Sequence, residues 1–157
     1  MLVDASKFPV GDLEYDDEES IAGFPVLRRL AEEEVMLWPS SPPIKEMVLA
    51  FGIAPIVALY LVRFTRPIAW GELAGETEKW AVAGDLPTMC FETMDAPTPA
   101  LALELYCCIA DDWADAVLSG RDLSECYPIP NKPTEEIAKL LRGRTSYLRR
   151  EMVPIAT

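Results

Sequence analysis

The chain has 157 residues, 26 acidic and 14 basic side chains, a formal net charge of −12, no histidine and 50% hydrophobic residues. That length and apolar content suffice for one domain with a real core and exclude a disordered composition. The charge opposes nonspecific attachment to nucleic acid or an anionic membrane, and the lack of histidine excludes Ser–His and Cys–His triads, HExxH zinc sites and a histidine general base.

In chain order, the first nineteen residues carry seven acids and one lysine, with Pro9 and Gly11 breaking any periodicity. They read as an extended acidic arm (1–19) ahead of a helical domain (20–157). The opening lacks the basic-then-apolar pattern of a secretory signal, so the four cysteines are expected as free thiols and the location as cytoplasmic. Pro25 opens the first expected helix, in which Leu27, Leu30, Ala31, Glu34 and Trp38 recur at helical spacing. Ser41, with Pro42 and Pro43, caps a second that reaches about Phe51, and Pro55 starts a third over "PIVALYLVRF". The apolar run 48–62, interrupted by Gly52 and Pro55, falls short of the ~20 residues a membrane crossing needs and reads as two buried helical pieces. A fourth helix over about 70–83 stops at Gly84, and a short one follows Pro87.

Thr98–Pro99 opens the longest helix, 100–118, which Ser119–Gly120 closes. After the proline-rich "CYPIPNKP", Thr134 caps a last helix, with Glu135 and Glu136 in the first turn where the helix dipole favours them. With no period-2 alternation and no hairpin-type turn dipeptide, the expected fold class is all-α, a single-domain bundle of six or seven helices.

The stretch "ELYCCIADDWAD" carries the densest chemistry. On a wheel of 101–118, Glu104, Asp111, Asp112 and Asp115 share one arc with Cys108, opposite a broad apolar side. Surrounding negative charge disfavours a thiolate at Cys108, and adjacent cysteines on a helix point apart. Zinc would want CxxC spacing or histidines, and helical carboxylates without loop carbonyls fit calcium badly. Catalytic residues, cofactors and metal ligands are accordingly expected to be none. The last helix sets Lys139, Arg142, Arg149 and Arg150 on a basic stripe, with Arg144 inside the apolar arc and in need of a carboxylate or carbonyl partner. Either the two stripes balance one another, or one or both are docking faces. Trp38, beside "PSSPP", is the tryptophan best placed as an interface anchor. The expected partner-binding set is therefore Glu104, Asp111, Asp112, Asp115, Trp38, Arg142, Arg149 and Arg150.

The segments "PIVALYLVRF", "GETEKWAVAGD", "WADAVLSGRDLS" and "YPIPNKP" leading into "TEEIAKLLRG" resemble, in order and spacing, a family of small helical bacterial proteins of unknown function from type VI secretion gene neighbourhoods. The resemblance covers about residues 55–143 and implies an accessory role in a bacterial secretion or effector system. The function expected is a non-enzymatic, acidic protein-binding module, an adaptor, effector chaperone or immunity-like protein whose partner has a basic surface. The alternatives are an inhibitor that mimics nucleic acid and an enzyme built on paired carboxylates.

Overall fold

The computed structural model describes residues 2–9 and 17–157; the acidic stretch 10–16 of the expected arm lies outside them. Helix α1 (Glu18–Leu37) precedes four strands, β1 (Ile44–Ile53), β2 (Val57–Phe64), β3 (Glu78–Gly84) and β4 (Met89–Phe91). Helices α2 (Pro99–Ser119) and α3 (Glu135–Tyr147) follow, α3 continuing through a π-turn at Leu148–Met152. The strands form one antiparallel sheet in the order β1-β2-β3-β4. The all-α bundle of six or seven helices is thus corrected to a mixed fold, with three α-helices and a four-stranded sheet among the described residues. The segments expected as helices two, three and four hold β1, β2 and β3, and the short one after Pro87 holds β4.

The reason is that helices cover both faces of the sheet. Along β2, Val57, Leu59 and Leu61 pack toward α2 and α3, while Ala58, Tyr60, Val62 and Phe64 pack toward α1. In β3, Trp80 and Val82 face the first side and Ala81 and Ala83 the second. A strand buried on both faces carries apolar residues at consecutive positions, which hides the alternation that marks a half-exposed strand.

Each helix is set by its ends. Asp17 caps α1 by accepting from the Ser20 amide at 3.1 Å and the Ser20 hydroxyl at 2.6 Å. Pro25, expected at the helix start, lies inside α1, where its missing N–H deprives Ile21 of its usual partner. Thr98 and Thr134 cap α2 and α3 through the Leu101 and Ile137 amides, and Gly120 ends α2 at φ +72°.

Residues from the expected arm take part in the fold. The Val3 amide donates to Glu78 at 3.0 Å, and Glu78, almost fully buried, also pairs with Arg63 at 3.0 Å. Arg63 reaches the Val3 carbonyl at 3.2 Å and Glu46 at 3.0 Å, so one guanidinium ties β1, β2, β3 and the chain start together. Phe8 packs against Trp80 with ring centroids 5.9 Å apart, and Trp80 donates its indole N–H to the Ala96 carbonyl at 2.7 Å.

Candidate functional site

The acidic and basic stripes meet each other. Helix α3 packs on α2, and Arg149 bonds Glu104 at 2.8 Å and also pairs with Asp111, while Arg142 pairs with Asp115. The Thr145 hydroxyl donates to Asp111 at 2.7 Å. These pairs hold the Arg149 guanidinium charged, with its pKa raised chiefly by the hydrogen bond to Asp111. Arg144, which the wheel places among apolar residues, is exposed and bonds both the carboxylate of Asp85, at 2.9 Å, and its carbonyl, at 3.1 Å. Asp112 is exposed, and its carboxylate has no ion pair among the described residues. Arg150 is exposed, pairs with Glu151 at 2.9 Å and lies over the Tyr147 ring. Of the expected partner-binding residues, then, Glu104, Asp111 and Asp115 are engaged with Arg142 and Arg149.

A different acidic face is left open. Helix α1 buries Leu27, Ala31 and Val35 on the sheet but exposes Ile21, Val26, Leu30, Met36 and Leu37. At 100° per residue, Val26, Leu30 and Leu37 fall within about 40° of one another. Leu30, placed by sequence spacing on the packed side, belongs to this outer side. Glu18, Glu19, Glu32 and Glu33 are exposed on the same helix and form no ion pair among the described residues. Arg28 is turned away, donating to the Met47 carbonyl on the edge strand β1 at 2.9 Å.

Where α1 ends, a cleft of about 580 Å³ opens on the α1 face of the sheet, between Trp38, Trp70, Leu73, Phe91 and Tyr127. Its inner wall holds Lys79, 4% exposed on β3, whose ammonium lies 5.2 Å from the centre of the Trp38 ring. Trp38 also packs against Tyr127 with centroids 5.8 Å apart, so it is half-buried here and not a free-standing anchor. The Tyr127 hydroxyl donates to Glu34 at 2.5 Å and accepts from the Cys90 amide at 3.0 Å. Burial pushes the Tyr127 phenol above its ordinary pKa. Sequence reading passed over Lys79 and Tyr127 and gave Glu34 only a place in a helical repeat; the one local signal was a lysine between Glu78 and Trp80 at the edge of the apolar "WAVA".

Among the described residues no group of three or more Cys, Asp or Glu side chains is arranged to hold a metal ion. All four cysteines are free. Burial pushes the Cys90 thiol up to about 11 and the Cys107 thiol up to about 12, whereas Cys108 is exposed. Native protein treated with a thiol reagent near pH 8 should therefore modify Cys108 first and Cys126 more slowly. Cys90 and Cys107 should react only after unfolding, and peptide mass spectrometry reads the order. Modification of Cys90 as fast as Cys108 would contradict this packing.

No family model, curated protein or solved structure matches the chain. No helix among the described residues is long and apolar enough to cross a membrane.

Proposed function

We propose that this protein is an acidic, non-catalytic protein-binding module that docks a basic partner bearing an apolar anchor, through the outer face of α1. The observation that carries the reading is the exposed apolar stripe on that face: Leu37 is 74% exposed, Val26 56% and Leu30 39%. Glu18, Glu19, Glu32 and Glu33 flank them. An apolar patch rimmed mainly by carboxylates, with Arg29 exposed among them, suits contact with a complementary surface, the apolar part giving affinity and the charge giving approach rate and selectivity. Two copies of the same face would bring like charges together, which favours a heterologous partner over self-association. Free thiols support work in a reducing compartment such as the cytoplasm. On this reading docking is on α1 and not on the α2 stripe, whose acids are largely spent on Arg142 and Arg149. An adaptor or immunity-like role fits such a surface.

The test is affinity capture on immobilised protein, with bound chains identified by mass spectrometry at low and high salt. It compares wild type with the double variant Leu30→Asp, Leu37→Asp, whose changes are on the solvent side and should leave the circular dichroism spectrum unchanged. The expected result is a basic protein held by wild type, released by salt and lost from the variant by about tenfold or more in affinity. Capture that is indifferent to both salt and variant would end the proposal. So would a wild-type dimer in sedimentation that the variant converts to monomer, since the face would then be a self-interface.

A further inference from the structure

We infer that the cleft at the end of α1 is a binding site for a small planar aromatic monocarboxylate, with the carboxylate on the Lys79 ammonium and the ring between Trp38 and Trp70. Lys79 is the argument. Its side chain is withdrawn from solvent on an inner strand, yet no hydrogen bond or ion pair reaches its ammonium among the described residues. A buried ammonium without a counter-charge is strongly disfavoured, and the ring contact with Trp38 offsets only part of that. Glu34, which like Lys79 acts on Cys90, takes a short hydrogen bond from Tyr127 and forms no ion pair with Lys79. The charge is thus left facing a cleft with room for a ligand, and neither carboxylate on the lining, Glu72 or Glu92, forms an ion pair with it among the described residues.

The walls indicate what carries the anion. Trp38, Trp70, Leu73 and Phe91 give the cleft a mainly apolar and aromatic lining, and Trp70 is 58% exposed at its mouth. The volume accommodates a one- or two-ring molecule. Glu72 and Glu92 stand on the lining as well, and the whole chain is acidic. A dianion such as a phosphate would meet these carboxylates with one cation to oppose them, whereas a monocarboxylate is matched by that single ammonium. Flat rings between tryptophans gain from offset or edge-on stacking, which fixes the ligand's plane.

The experiment titrates wild-type protein with three probes by calorimetry and tryptophan fluorescence: indole-3-acetate, the uncharged indole-3-acetamide and phenyl phosphate. The acetate should bind at least about tenfold more tightly than the amide or the phosphate. Lys79→Met should erase the preference for acetate over amide while raising the melting temperature, because a buried unpaired charge is replaced by a thioether of similar length. Trp70→Ala, at an exposed position, should weaken both indoles without altering the fold, and it serves if Lys79→Met does not fold. Equal binding of acetate and amide, tighter binding of the phosphate, or no binding of the acetate at about 10 mM would overturn the assignment.

Discussion

Raised from pH 8 to pH 11, this protein should lose stability steeply, after a stretch from about pH 6 to 8 over which it stays level. The level stretch follows from the absence of histidine, the side chain that ordinarily titrates there. The collapse follows from neutral groups held inside. Burial is the largest cause of each shift: Cys90 goes from 9.0 to about 11, Cys107 from 9.0 to about 12 and Tyr60 from 10.0 to about 12. Burial likewise holds Tyr106 and Tyr127 above their ordinary 10.0. Because the folded values lie above the unfolded ones, the stability from keeping these groups neutral is whole below pH 9. It drains as thiols, then phenols, ionise in the unfolded chain. Cys90 and Cys107 each forfeit on the order of 2 kcal/mol by pH 11 and Tyr60 about 1 kcal/mol, against a total typically of 5–15 kcal/mol. Urea titrations followed by circular dichroism at a series of pH values check this. A midpoint that drifts between about pH 6 and 8, or one that survives unchanged at pH 11, would contradict it.

Gly84→Ala should be the most damaging single-methyl change in the sheet. Gly84 ends β3 at φ +150°, opposite Val57, and a Cβ there would stand 2.2 Å from the Ile56 carbonyl oxygen and 2.8 Å from the Val57 Cα. Both obstacles are backbone, Ile56 in the turn joining β1 to β2 and Val57 at the start of β2, so they cannot swing aside as a side chain would. That turn is also fixed to the strand end by the Asp85 amide, which donates to the Ile56 carbonyl at 3.0 Å. Gly75→Ala separates the causes: it too sits at positive φ, +91°, but a Cβ there meets nothing within 4 Å. Strained backbone alone should cost about 1 kcal/mol at Gly75, and strain plus collision about 4 kcal/mol or outright misfolding at Gly84. Thermal melts of the two variants side by side decide it. Equal losses would mean the strand end can move away from the turn.

What the sequence made legible were the helix ends. Thr98 and Gly120 around α2, and Thr134 with Glu135 and Glu136 at α3, are local chemistry that needs no tertiary context. The strands were hidden by that context: "PIVALYLV" and "WAVA" are apolar throughout because α1 lies on one side and α2 with α3 on the other, and β4 is too short to show a period. The wheel correctly collected Glu104, Asp111, Asp112 and Asp115 on one side of α2, but it cannot say what another helix brings to that side. Arg142 and Arg149 arrive there only because α3 folds back on α2. The cleft was illegible for a similar reason. Trp38, Trp70, Lys79 and Tyr127 come from four separate stretches, and nothing periodic links them.

Helix α1 is made before anything it covers. As a ribosome extends the chain, Leu27, Ala31 and Val35 emerge ahead of β2 and β3, the floor on which they finally rest. At ~5–20 residues per second that floor follows several seconds later. During that interval two apolar stripes of the segment are uncovered at once, since Val26, Leu30 and Leu37 face solvent in the folded chain as well. The nascent chain is then at its most adhesive, and early engagement by a chaperone or by the eventual partner protects it best.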